Sequence, residues 1–123
     1  MTWNGRWKNQ FGSVVEIREE SHNKISGAFT TALKDSALFG QTVPIIGTYQ
    51  GSCISFAAAA TTKFGDVVVS YTGLLRDSKL ETMWFAVADR ALTASEPGAP
   101  AQLKEQKWWR AVITNMDTFE RGV

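Results

Sequence analysis

The feature that most limits how this chain can fold is a series of short β-prone runs separated by turn residues, spread along nearly its whole length. "SVVEIREE" (13–20) leads to the polar turn "SHNK", and "ISGAFTTAL" (25–33) to "KDSALFGQ". "VPIIGTY" (43–49) is followed by Gln50-Gly51, and "SCISFAAAATT" (52–62) by Lys63-Phe64-Gly65-Asp66. "VVVSYTGLL" (67–75) ends at "RDSK", "LETMWFAVADRAL" (80–92) opens into "TASEPGAPAQLKEQK", and "WWRAVITNMDTF" (108–119) closes the series. About seven or eight strands at roughly 8–14-residue spacing predict an all-β barrel or sandwich. Because the joins are short, an eight-stranded antiparallel up-and-down β-barrel is favoured, since closure leaves no exposed sheet edge. Ala57–Ala60 has helical propensity, but its β-type flanks, Ile54-Ser55-Phe56 and Thr61-Thr62, make it strand. The one long connection, Thr93 to Lys107 with Pro97, Gly98 and Pro100, reads as a loop or lid.

A chain of 123 residues is one domain, here residues 1–123, with a single core. The net charge of +1, with scattered Lys and Arg, provides no basic stripe for nucleic acid. Cys53 is the only cysteine, which excludes an intrachain disulfide and a multi-Cys metal site. Unpaired, it is expected to be buried as a small hydrophobe. His22, the only histidine, falls in the "SHNK" turn without co-ligands, so no metal is expected. No apolar run reaches membrane-spanning length. Met1 is followed directly by "TWNGRW" rather than by a charged and then apolar leader. The chain is therefore either cytoplasmic or has lost a leader.

Catalysis finds no support in the residue pattern. No nucleophile signature surrounds a serine, and the acids Glu19, Glu20, Asp77 and Glu105 fall in expected turns. A barrel of eight strands nearly fills its interior or holds one small ligand, which makes a binding pocket the better reading. Strand parity turns Asn9, Ser13, Thr31 and Asp117 inward as polar groups. Phe29, Phe56, Trp84 and Trp109 turn inward as aromatic walls. The last run is read as strand throughout, with Trp109, Ala111, Ile113, Asn115, Asp117 and Phe119 on the inner face and Trp108 outside. An inward Asp117 must find hydrogen-bond donors in the protein or in a ligand.

These residues resemble a known family. "GRWKNQFGS" (5–13) resembles the first hairpin of avidin and streptavidin, and "ISGAF" their third strand. "SYTG" is similar to their (T/S)-x-(S/T)-G element, "TMW" to their T-x-W strand, and "WRAVITNMDTF" to their closing strand. The resemblance runs in order from Trp3 to Arg121. It implies a streptavidin-like barrel, a homodimer or homotetramer, that binds biotin non-covalently as a ligand rather than a cofactor, and it favours a secreted or periplasmic protein.

Position by position, the resemblance gives Asn9 and Ser13 to the ureido oxygen of biotin and Thr31 and Asp117 to its N–H groups. Phe29 replaces a tyrosine whose hydroxyl the family uses. Tyr71 replaces a tryptophan, Trp84 and Trp109 keep the family's aromatic walls, and Trp109 is implied to cap the site of a neighbouring subunit. Ala60 stands where the family has tryptophan, and Val67 and Val69 where it has hydroxyls. Asp35 falls near the loop that meets the biotin carboxylate, where its charge disfavours an anionic tail. Two ligand readings follow: biotin bound more weakly than by the family's best members, or a related ligand with an uncharged, more apolar tail. A lipocalin or fatty-acid carrier would use Gly5-x-Trp7 and read Ala58, Ala60, Val67 and Val69 as a lipid wall, leaving Asn9, Ser13 and Asp117 without a role. An oligomeric module with a vestigial pocket is the third class.

Overall fold

A computed structural model of the chain describes residues 2–34, 38–62, 65–93 and 97–122, except for the side chains of 92 and 93. The strands are β1 (Gly5–Asn9), β2 (Val14–Ser21), β3 (Lys24–Thr30), β4 (Thr42–Gln50), β5 (Cys53–Thr62), β6 (Gly65–Arg76), β7 (Lys79–Ala88), β8 (Arg90–Thr93), β9 (Gln102–Glu105) and β10 (Val112–Arg121). One helical turn, α1 (Trp108–Ala111), precedes β10. Eight strands close into an antiparallel barrel in the order β1-β10-β7-β6-β5-β4-β3-β2, the up-and-down topology expected from the short joins.

Local chemistry sets the hairpins. His22 and Asn23 have φ of 52° and 65°, and Asp77 and Ser78 have φ of 52° and 66°. Consecutive positive φ values are those of a two-residue type I′ turn, whose twist matches the flanking strands. "SHNK" and "RDSK" are thus the predicted turns. The alanine run lies in β5, with Ala58 opposite Val69 and Ala60 opposite Val67. β2 carries a bulge between Ile17 and Glu19. Facing it in β3, Gly27 lies so close that an added Cβ would fall 1.8 Å from the Glu16 carbonyl oxygen. Only glycine lets the strands approach this closely there.

Trp3, Trp7, Ile17, Leu80 and Phe119 are among the most buried side chains of the core cluster. Trp7 Nε1 donates to the Trp3 carbonyl at 2.9 Å, so the indole N–H is not lost on burial. Glu20 accepts from Trp3 N at 2.6 Å, Asn4 N at 3.0 Å and the Thr2 hydroxyl, tying the N-terminus to β2.

Three expectations change. Cys53 is exposed: Ile54, Phe56 and Ala58 are the inward residues of β5, so parity turns Cys53 outward. The Thr93–Lys107 connection is not wholly loop, because Gln102–Glu105 form β9 and pair with β8 as a small ribbon, Arg90 opposite Glu105. These strands are four residues each, too short to show a hydrophobic period. Finally, Trp108–Ala111 is helical, so strand parity cannot be counted back from Asp117 to Trp109. Both tryptophans are solvent-exposed, Trp108 at 74% and Trp109 at 66%.

Candidate functional site

A cavity of about 630 Å³ opens at one end of the barrel. Its walls follow the inward rows of the strands: Val67, Val69 and Tyr71 from β6 lie opposite Ala88, Ala86 and Trp84 from β7. Asp117, Asn115 and Ile113 continue the wall on β10. Asn9, Ser13, Phe29 and Thr31 line it from the other side. Of the residues that the resemblance places at the ligand, Asn9, Ser13, Phe29, Thr31, Tyr71, Trp84 and Asp117 therefore meet in one cavity. Trp109 does not line it.

Asn9, Ser13, Thr31 and Asp117 are all buried, and their hydrogen bonds fix them as one polar cluster. Asn9 Oδ1 accepts from the backbone N–H of Phe11 at 3.0 Å and of Ser13 at 2.9 Å, closing the turn after β1. That orients Asn9 Nδ2 to donate to Asp117 Oδ2 at 3.1 Å. Gln10 Nε2 approaches Asp117 Oδ1 at 3.3 Å. Ser13 Oγ lies 3.3 Å from Thr31 Oγ1 and accepts from Ala32 N at 2.8 Å, while Leu33 N donates to Thr31 Oγ1 at 3.2 Å. Thr82 Oγ1 donates to the Asp117 carbonyl at 2.7 Å, which holds the β10 backbone. Each side chain is thus positioned by neighbours that leave part of its hydrogen-bonding capacity open, as a carboxylate accepts about four bonds. Among the described residues the Asp117 carboxylate has two neutral side-chain partners and no cation, an arrangement suited to a ligand N–H.

Above the cluster the walls are aromatic and aliphatic. Tyr71 sits 5.2 Å from the Phe56 ring in a stacked pair, 5.9 Å from Phe29 and 6.5 Å from Trp84, centroid to centroid. Phe56, expected inward, is buried in the core. Burial raises the Tyr71 phenol above the usual tyrosine range, and the Asp117 charge adds to the rise. The hydroxyl stays a neutral donor, and among the described residues it has no hydrogen-bond partner. The indole N–H of Trp84 is likewise buried and unpartnered. Ala60 packs against the core but does not line the cavity. Leu38, in the connection to β4, is buried in the same core cluster and does line it. Asp35 lies outside the described residues.

Sequence reasoning missed Gln10, Arg90, Gln106 and Arg110. Gln10 neighbours Asn9 on a turn, where parity does not apply. Gln106 lines the cavity while donating to the Ala88 carbonyl at 3.0 Å. Arg90 and Arg110 reach the cavity from β8 and α1, segments without a readable period. Among the described residues no group of three or more metal-ligating side chains occurs, and no helix is long and apolar enough to cross a membrane.

Residues 1–122 match the model of the avidin family. The chain belongs to the avidin family. Its proteins bind biotin and are not enzymes. Solved structures agree on the fold. The bradavidin2–biotin complex has a TM-score of 0.72 at 19% identity, covering 100% of both chains. The rhizavidin–biotin complex gives 0.73 at 18%, covering 99% of this chain and 93% of that one. Apo shwanavidin gives 0.74 at 20%, covering 100% and 98%. A comparison with curated proteins finds no match. The streptavidin-like barrel expected from the sequence is the fold of this family member.

Proposed function

We propose that this avidin-family chain binds biotin non-covalently in the barrel cavity through its ureido head group. The observation that carries the reading is the buried cluster of Asn9, Ser13, Thr31 and Asp117 at one end of a largely apolar cavity. Asn9 Nδ2 and the Ser13 hydroxyl are donors suited to a ureido oxygen, and Thr31 Oγ1 and the Asp117 carboxylate are acceptors for its N–H groups. Phe29, Tyr71 and Trp84 supply the enclosing aromatic surface. A lipid carrier has no use for a carboxylate held by Asn9 and Gln10 inside its cavity, because burying it costs free energy unless a polar ligand meets it.

The affinity proposed is below that of the strongest binders of this kind. Phe29 lacks a hydroxyl, and Val67 and Val69 offer no hydrogen bond to the ligand's tail. Each missing bond typically costs about 1–3 kcal/mol, or roughly ten- to hundredfold. Self-association is part of the proposal. Met83, Phe85 and Val87 of β7, Val68 of β6 and Met116 of β10 are exposed on the outer barrel face. Register makes them neighbours, with Val68 opposite Val87 and Met83 opposite Met116. A contiguous exposed apolar patch of this kind fits a protein interface, here a second copy. Trp109, exposed near the cavity mouth, is then available to a neighbouring subunit's ligand.

Calorimetric titration with biotin tests the reading. A saturable stoichiometric heat with a raised melting temperature is expected, since a ligand that binds only the folded state stabilises it. No heat and no thermal shift at millimolar biotin would leave the cavity to another ligand, and a fluorescent fatty-acid titration would then tell a lipid carrier from a vestigial pocket.

A further inference from the structure

The cavity changes character from one end to the other. Along β7 the inward row runs from Trp84 through Ala86 and Ala88, and the chain then reaches Arg90. Along β10 it runs from Asp117 through Asn115 and Ile113, and α1 then presents Arg110. Asp117 and the start of β10 are about 17 Å apart along the strand at the usual rise, a gap that an arginine side chain shortens. Two arginines therefore line the end opposite the carboxylate, and Val67, Val69, Ala86 and Ala88 lie between that end and Asp117.

Neither arginine is neutralised by a strong ion pair. Among the described residues Arg110 has no carboxylate partner; its guanidinium lies over the Trp109 ring at 4.5 Å. Among the described residues Arg90 meets only Asp89, in an exposed pair at 3.7 Å, a geometry worth little in water. Asp117 is the only carboxylate among the described lining residues. The cavity thus offers neutral donors and one carboxylate to a polar head, hydrocarbon to a chain, and positive charge to the chain's end.

We infer that Arg90 and Arg110 form a cationic clamp for the anionic end of the ligand, so that this protein selects the free acid over its amide and ester conjugates. The inference rests on the biotin reading and adds to it the chemistry of the tail. It also argues against the alternative reading of a ligand with an uncharged tail, which considered Val67, Val69 and Asp35 without the two arginines. Guanidinium is suited to carboxylate because its N–H groups match both oxygens. The valines offer no hydroxyl to that end, so discrimination falls on charge, and charge at a partly open mouth is screened by salt.

The test compares biotin with biotin amide by calorimetry on the full chain, at low salt and at about 0.5 M salt, for the wild type and for Arg90→Gln/Arg110→Gln. The wild type is expected to prefer the acid by about tenfold at low salt, shrinking to about twofold at high salt. In the double variant the acid loses affinity and the ratio falls to about one. Equal binding of acid and amide by the wild type at low salt overturns the clamp and leaves the biotin reading intact. A ratio that survives in the folded double variant overturns it as well. Binding of neither ligand overturns both readings. The wild-type comparison needs no variant, so a misfolded mutant does not remove the test.

Discussion

Replacing Asp117 probes the candidate site most directly, because its carboxylate links the protein's own polar cluster to the proposed ligand. In the free protein Oδ2 accepts from Asn9 Nδ2 at 3.1 Å and Oδ1 from Gln10 Nε2 at 3.3 Å. A ureido N–H in the cavity adds one charge-assisted bond, worth about 1.5–3 kcal/mol. Asp117→Ala removes that bond and strands the ligand's donor in an apolar cavity, so the total loss is about 2–4 kcal/mol. That corresponds to roughly 30- to 1,000-fold in biotin affinity. The fold should survive. Asn9 keeps both backbone bonds to Oδ1, and the Thr82 hydroxyl binds the carbonyl of residue 117, not its side chain. Losing the hydrogen bonds from the two neutral donors, Asn9 and Gln10, is partly offset by no longer burying a carboxylate. Asp117→Asn sharpens the experiment, since it keeps the size but sets an NH₂ group against either Asn9 Nδ2 or the ligand's N–H. Calorimetry measures the affinities, and circular dichroism with a thermal melt checks the fold. If folded Asp117→Ala binds biotin within about threefold of wild type, Asp117 is not a ligand contact and the site assignment fails.

Phe29→Tyr should raise biotin affinity by about tenfold if the cavity lacks a donor at that position; titration showing no gain would mean the hydroxyl has no role there. Tyr71, raised by burial and by Asp117, stays protonated in the folded chain after the unfolded chain has begun to lose its proton. Stability should therefore be present below about pH 10 and fall as pH rises above it, and chemical denaturation should find that limb flatter in Tyr71→Phe. For Glu20 burial pushes the carboxyl up, but hydrogen bonds from Thr2, Asn4 and Trp3 outweigh it and the result is a lowered value. Its contribution is present above the ordinary carboxylate range and lost as pH falls through the folded value, so Glu20→Gln should melt lower at neutral pH and lose less on acidification. Phe85→Lys, on the exposed apolar face, should shift the chain toward monomer in light scattering; a wild type that is already monomeric at tens of micromolar, roughly the range of weak association, refutes the interface.

What the sequence made legible follows the hydrogen-bonded ladder. Where strands pair without interruption, a two-residue period sorts inward from outward side chains. Phe29, Trp84 and Asp117 line the cavity on that rule, Tyr71 is named by the resemblance alone, and Asn9 and Ser13 line it beside the turn that Asn9 closes with its own side chain. The rule fails where the ladder is broken. α1 interrupts it between Trp109 and Val112, so a tryptophan placed inside by counting lies outside. Cys53 shows the opposite error, in which a chemical prior about unpaired cysteines overrode a parity that pointed outward. Gln106, Arg90 and Arg110 were illegible for a third reason. They enter the cavity from a ribbon of two four-residue strands, the link that follows it and a helical turn, whose placement depends on barrel closure and not on local pattern.

That division has a physical consequence for recognition. The polar cluster draws on β1, β10, the turn before β2 and the residue after β3, and Asp117 belongs to the barrel ladder that pairs it with Thr82. Sliding it along β10 would break register with β7, so head-group geometry is bound to the stability of the fold. The mouth has no such constraint. Arg90 and Arg110 are exposed and sit on short elements outside the barrel ladder. Changing them alters the charge offered to a ligand's far end at little cost to the barrel, because exposed side chains contribute little to stability. A protein built this way can keep one head group while exchanging tails, and differences at Val67, Val69, Arg90 and Arg110 then report which tail it accepts, not whether it binds.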